Sequence, residues 1–490
     1  MKKRISALVL AAVMLFGLLT ACGTADPAPS DNITPEGPSI GESVETEKLV
    51  GNFVVPEGGY DGSAVTIKFY NTMGANLRAV LDNYIVEFNK LYPNITVEVT
   101  QVGNYDDVRE QISTEITVGN QPNIAYCYPD HVALYNLAKA VTTLDNLINS
   151  EIEITRADGS KEILGLTDAQ KADFIEGYYN EGKQFGDGLM YTLPLSKSTE
   201  VLYYNKTFFD ANNIAVPTTW DELEAVCAKI KAIDPKSIPL GYDSEANWFI
   251  TMCEQYKSPY TSASGDHYLF DNEQNHAFVK KFNEWYQKGY LTTQTLYGAY
   301  TSGLFVSQSG VKSYMSIGSS AGATHQRPAA NADGSYPFEV GIATIPQVDA
   351  NNAKVISQGP SLCIFQKSNP QEVIASWLFV KYLTTTVEFQ AEFGMASGYV
   401  PVLKSVSGNP VYAQSIESAD GGTYSAALSA KICLQQEHAY YTSPAFNGSS
   451  AAREQVGALL TKCLPLTGSD VDKKIAEAFQ DAIDECEYNS

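Results

Sequence analysis

Gly318-Ser319-Ser320-Ala321-Gly322 fits G-x-S-x-G, the spacing that lifts a nucleophilic serine onto a tight strand-to-helix turn. A hydrolase built on Ser320 needs an acid and then a histidine downstream. His325 follows too closely, whereas His438 is available with Asp349 or Asp420 ahead of it. The chain has no HGGG-type oxyanion loop, and so short a match arises readily by chance among its 36 glycines. A serine esterase is therefore the weaker reading. Ser319 and Ser320 have a second use. Where a strand gives way to an expected helix, exposed backbone N–H groups favour an oxyanion or a phosphate; the plain alternative is a helix cap.

Metal and cofactor chemistry find no foothold. The sequence has no H-E-x-x-H, P-loop or EF-hand pattern, so neither a metal nor a cofactor is expected. Of eight cysteines, seven lie beyond Cys22: Cys127, Cys227, Cys253, Cys363, Cys433, Cys463 and Cys486. No two form C-x-x-C, and several sit in apolar runs, as buried thiols do. A Cys463–Cys486 disulfide cannot be deduced from spacing.

Binding chemistry is better represented. Sugar hydroxyls take hydrogen bonds, and their C–H faces stack on Trp or Tyr. With 30 Tyr and 20 Phe, most aromatics must be core. Trp248, after Gly241, offers a stacking platform, or else a core ring beside Phe249. Ser449 or Ser450 should cap a helix over Ala451–Leu464. Arg453 in its first turn is at the wrong end for the helix dipole, which suggests an anionic partner.

The elements that would carry these groups read as alternating strands and helices. Val65, Ile67 and Phe69 alternate as a strand. Leu77 to Leu91 keeps helical spacing until Pro93, and Ile95, Val97 and Val99 form the next strand. This βαβ pattern predicts an α/β lobe with a largely parallel sheet. A helix over Val108–Val118 and a strand at Ile124–Tyr128 follow. Val201–Asn205 reads as a buried strand, and Thr219 with Glu222 as a capping box. Ser313–Ile317 is a strand, and Asn369-Pro370 opens a helix. At 490 residues two lobes are expected.

With 44% hydrophobic and 18% charged residues the chain is globular, and its net charge of −23 disfavours nucleic acid. Lys2, Lys3 and Arg4 precede an apolar run, Ile5–Leu19, as in an export signal. Leu19-Thr20-Ala21-Cys22 resembles a bacterial lipobox, in which Cys22 is acylated; two or more chains hold a protein on a membrane surface. Residues 23–63 read as a Pro-, Gly- and Ser-rich tether with a reach of roughly 35 Å.

The run Tyr203-Tyr204-Asn205-Lys206 … Pro217-Thr218-Thr219-Trp220-Asp221-Glu222-Leu223 resembles the extracellular solute-binding proteins of ABC importers, the family of maltose- and glycerol-3-phosphate-binding proteins. GNYDDV (103–108), GSSAG (318–322), ISQGPS (356–361) and GYVPV (398–402) extend the resemblance, which runs from about Val65 to the C-terminus. It implies a two-lobed, periplasmic-binding-protein-like class II α/β fold with a cleft between lobes joined by three crossings. Lobe I would hold residues 64–192 and 357–397, and lobe II 193–356 and 398–490. It also implies an exported monomer, lipid-anchored on the outer face of the cytoplasmic membrane. Its cargo would be a sugar, or else a glycerol phosphate, passed to a membrane permease.

By the same resemblance Tyr105 and Tyr399 line the cleft, and an acid near Asp130 belongs there. Ser198 matches a cleft serine of the phosphate-binding relatives, and Arg453 matches their arginine. Gly359, at the second crossing, lets backbone approach a ligand.

Overall fold

The structure is a computed structural model that describes residues 51–185, 187–419 and 425–488. The signal segment, Cys22 and the tether up to residue 50 lie outside the described residues, as does Asp420.

The first lobe grows from the alternating strand β1 (Val65–Asn71), whose Ile67 and Phe69 are fully buried. A helix, Ala75–Leu91, follows and buries Leu81, Tyr84 and Phe88 on one face. It ends one residue before Tyr92-Pro93, where proline denies the helix an amide. The chain returns as β2 (Ile95–Gln101), parallel to β1 from Val65↔Ile95 to Asn71↔Gln101. β3 (Ile124–Cys127) adds to the other edge of β1, also parallel. A small antiparallel hairpin, β4 (Glu153–Thr155) and β5 (Lys161–Ile163), interrupts before β6 (Thr192–Pro194).

The second lobe has β7 (Glu200–Asn205), β8 (Leu240–Tyr242), β9 (Leu291–Thr293), β10 (Met315–Ser319) and β11 (Val340–Thr344), in the order β11-β7-β10-β8-β9. A short pair, β12 (Val355–Ile356) with β14 (Tyr440–Tyr441), flanks the way back. β13 (Ser361–Ile364) then completes the first sheet as β2-β1-β3-β13-β6.

Neither sheet is purely parallel. β13 runs antiparallel to β3 and β6, and β7 runs antiparallel to β10 and β11. Strands that enter or leave by a crossing lack the helical connection that enforces parallel pairing.

The dense apolar run of β7 has a direct cause. Val201 and Tyr203 join a core that continues into the first lobe as far as Phe69 and Phe379, whereas Leu202 faces the second lobe's own core with Trp220 and Trp248. A strand covered on both faces loses the polar alternation. The Thr219–Glu222 capping box forms as expected and starts the helix Trp220–Ile233.

The crossings lie side by side. Lys197 and Val400 exchange both backbone hydrogen bonds, at 2.9 and 2.6 Å, and Ser198 and Gln358 do the same at 2.7 and 2.9 Å. Gly359 sits between them at φ +104°, and a Cβ there would meet the Ser196 carbonyl oxygen at 2.7 Å. Glycine is required here by strand-to-strand approach.

Three expectations need correction. The body begins before Val65: Asn52 bonds Thr143 and Val141, and Phe53 is buried against the first lobe. Residues 398–490 do not all stay with the second lobe. Leu403 bridges Phe174, and Lys404 and Ser405 bond Ala172 and Asp173. The helix expected over Ala451–Leu464 runs Ser449–Cys463 and is capped by Gly448 in left-handed conformation, without a side-chain cap. Ser449 and Ser450 are instead engaged elsewhere, with Phe446 and Asp130.

Candidate functional site

The end of β3, the second crossing and helices and loops of the second lobe line a partly open cavity whose empty space, counting the solvent at its mouth, is about 610 Å³. Tyr128, Pro129 and Asp130 reach it from the first lobe, because β3 ends there and Pro129 opens the helix Pro129–Leu137. Ser357 and Gln358 come from the second crossing. Tyr260 and Arg453 come from the second lobe, and Glu181 from a 3-10 turn of the first. An outer cleft adjoins this cavity and shares Tyr128, Asp130 and Arg453 with it; Tyr105, Arg109, Thr295 and Tyr300 form its walls.

Asp130 and Arg453 therefore stand at the junction of both spaces. Ser450 Oγ donates to Asp130 Oδ2 at 2.8 Å, a bond from one lobe to the other. Burial by itself would push the Asp130 carboxyl upward. His131, Arg453 and the Ser450 hydrogen bond outweigh it and hold the group below the usual carboxylate range, so it is ionised at neutral pH. Burial, with Arg109 and Arg453, lowers His131 despite Asp130 beside it. Arg453 Nη2 donates to Asn247 Oδ1, which holds the guanidinium against the second-lobe wall.

Aromatic surface supplies the rest. The Tyr105 and Tyr128 rings stack at 4.5 Å, with Tyr126 behind at 6.2 Å from Tyr105. The Tyr399 hydroxyl faces that of Tyr105, and burial first, then these neighbouring phenols, raise the Tyr105 hydroxyl well above its ordinary value. Tyr260 and Ser357 line the inner cavity, and their hydroxyl oxygens are buried with no hydrogen-bond partner among the described residues. Buried hydroxyls in that condition are suited to a bound polar molecule.

Four of the expected residues thus come together: Tyr105, Asp130, Tyr399 and Arg453. The others serve the scaffold. Ser198 and Gly359 belong to the paired crossings. Trp248 has no exposed surface; it stacks on Tyr242 at 4.8 Å and packs against Phe282 at 4.0 Å, so its core reading holds. After Ser319 there is only a 3-10 turn, Ser320–Gly322, in place of the expected helix. Ser319 Oγ accepts from Ala321 N, and Ser320 Oγ accepts from Thr199 N at 3.2 Å in a sealed position. His325 and His438 are exposed. Ser320 is a brace between β10 and the first crossing, and the esterase reading has no support.

Sequence reasoning missed Tyr128, Glu181, Tyr260 and Gln358. Tyr128 carried a usable signal, since ligand sites gather beyond the carboxyl ends of strands. Tyr260 carried none: it comes from an irregular loop whose approach to the cleft depends on tertiary packing.

Comparisons with known proteins agree with this geometry. The family described as "Bacterial extracellular solute-binding protein" matches residues 83–419, more than half of the chain. The sn-glycerol-3-phosphate-binding periplasmic protein UgpB of Shigella flexneri is 25% identical over 362 residues, covering 70% of this chain and 75% of the relative. Among solved structures, UgpB from Mycobacterium tuberculosis in complex with glycerophosphocholine aligns with a TM-score of 0.66 at 17% identity, over 86% of this chain and 99% of that one. The GacH receptor of Streptomyces glaucescens, solved unliganded and with acarbose, aligns with a TM-score of 0.65 at 15% identity, over 86% and 98%. An ABC substrate-binding protein from Listeria monocytogenes in complex with cycloalternan gives 0.66 at 16%, over 86% and 98%. With its two mixed sheets, paired crossings and a cavity between the lobes, this chain belongs to the bacterial extracellular solute-binding protein family.

Proposed function

We propose that the protein is the substrate-binding lipoprotein of an ABC importer and that it captures a neutral carbohydrate between its lobes. The carrying observation is the charge around the inner cavity. Arg453 shares it with the ionised Asp130, while the nearby Glu181 is already paired with Lys197. A phosphate dianion brought to Arg453 would meet Asp130 as well, whereas sugar hydroxyls can donate to the Asp130 carboxylate and accept from the guanidinium. Tyr128 and Tyr260 supply the faces on which a sugar ring packs.

Binding closes the lobes about the crossings, and the closed form is what the permease recognises. No bond is made or broken. Acylation at Cys22 anchors the monomer outside the cytoplasmic membrane.

Glycerol 3-phosphate or a glycerophosphodiester is the second reading, favoured by the UgpB relatives and by Arg453 itself. A thermal-shift screen of sugars and phosphates separates the two, since a ligand at a hundred times its Kd stabilises by about 2.7 kcal/mol. Asp130→Asn sharpens the result. A neutral sugar should bind it less well, because an acceptor for a hydroxyl is weakened. A phosphate should bind it better, because repulsion is relieved. Stabilisation by phosphates alone would overturn the carbohydrate reading.

A further inference from the structure

Glu200 opens β7 and is 1% exposed. Its carboxylate is bound at both oxygens. Tyr242 Oη donates to Oε2 at 2.6 Å, and Asn247 Nδ2 donates to Oε1 at 3.0 Å. Asn247 Nδ2 also donates to Gln358 Oε1 at 2.9 Å, and this leaves Asn247 Oδ1 as the acceptor for Arg453. The amide is therefore oriented from below by two acceptors, and that orientation presents an oxygen to the guanidinium.

We propose that Glu200 is a positioning residue of the ligand cavity: its ionised carboxylate fixes the Asn247 amide, Asn247 holds Arg453 at the cavity wall, and protonation of Glu200 loosens that hold and weakens binding. The chemistry is one of donors and acceptors. A proton on Glu200 Oε1 would face an Asn247 N–H group, and one on Oε2 would be donated to the Tyr242 hydroxyl, which turns from donor to acceptor; in either case the neutral carboxyl is a weaker acceptor for the Asn247 amide than the carboxylate is. An amide freed to turn would point N–H groups at Arg453, which has only donors.

The titratable and charged groups around Glu200 come from several elements. Tyr242 and Asp243 lie at the end of β8, Arg453 on the helix Ser449–Cys463, and Tyr441 on β14. Burial is the largest influence and raises Glu200; the Tyr242 and Asn247 hydrogen bonds and Arg453 oppose it, and Asp243 adds to it, leaving the carboxyl at about 7. The proton therefore exchanges at ordinary extracellular pH.

The proposal rests on the cavity being the ligand site, and two measurements keep the ideas apart. In the full chain without added ligand, carbon NMR of labelled glutamate follows Glu200, assigned through Glu200→Gln. In Arg453→Gln its titration should move to higher pH, since a nearby cation is lost. A titration at the same pH as in the parent overturns the coupling.

Calorimetry with maltotriose and sn-glycerol 3-phosphate then reads binding at about pH 6 and about pH 8. Apparent affinity follows the competent fraction, so whichever probe binds should do so roughly tenfold tighter at the higher pH. That ratio should vanish in Glu200→Gln and in Asn247→Ala. Equal affinity at both pH values in the parent, or a ratio unchanged in the variants, overturns the positioning role. If neither probe binds, the binding half of the proposal falls with the ligand reading, whatever the carboxyl titration shows.

Discussion

Two cations meet carboxylates where the lobes join, and the two encounters are built in opposite ways. Lys197, on the first crossing, pairs with Glu181 at 2.8 Å, and their side chains are 0% and 3% exposed. Lys197 Nζ also reaches Ser361 Oγ at 3.1 Å and the Gly359 carbonyl. Its donors are spent on Glu181, on β13 and on the second crossing. Arg453 and Asp130 sense each other's charge, yet each bonds a neutral partner, Asn247 and Ser450, and both face open space. A saturated pair is a clamp, whereas a pair held apart with capacity to spare is a receptor for a third party. On the proposed function, the first pair holds the crossings together and the second is free to meet a solute.

The largest expected effect attacks the clamp. Lys197→Met leaves Glu181 buried and unpaired, and loss of one partner of a buried pair costs about 3–5 kcal/mol. Urea unfolding reads this directly; an unchanged midpoint would mean that the pair contributes nothing to the hinge.

Glu200 gives the next effect, with a definite sign. Its folded-state value of about 7 lies above the ordinary 4.5, so the folded form keeps a proton that the unfolded chain releases. Stability from this group is full below about 4.5 and is lost as pH rises toward and past 7, by about 3 kcal/mol. Glu200→Gln should flatten that fall, and matching pH–stability curves for parent and variant would contradict it.

On the receptor side, Asp130→Ala should weaken a bound sugar by about 1.5–3 kcal/mol, the scale of a hydrogen bond to a charged group. Calorimetry at constant pH measures it, and an unchanged Kd would remove Asp130 from the site. Ser450→Ala should have the smallest effect, about 0.5–1.5 kcal/mol, felt as a shift toward open lobes in X-ray scattering. An identical scattering curve would show that the Ser450–Asp130 bond does not bias closure.

Much of the scaffold was legible in sequence because local rules and tertiary fate coincide there. The β1–helix–β2 unit, the Thr219–Glu222 capping box and the Asn369-Pro370 helix start all follow pattern alone. The site was legible in part. Arg453 stood out because its charge opposes its helix position. Trp248 misled because an aromatic after a strand looks alike whether it faces a cleft or the three rings that enclose it. Glu181 and Lys197 are distant from any shared motif, and only the crossing geometry brings them into contact. The antiparallel course of β13 is invisible for the same reason, since its partner strands lie far off in sequence.

The seven buried cysteines have a practical corollary. Burial pushes the thiols of Cys127, Cys227, Cys253, Cys433, Cys463 and Cys486 upward, and thiolate is the form that reacts. In the folded body a maleimide dye would pass these sulfurs over. A cysteine introduced as Tyr300→Cys, at a 64% exposed position on the rim of the outer cleft, would be labelled selectively. The molecule is thus already arranged as an optical sensor, whose emission would register each approach of one jaw to the other.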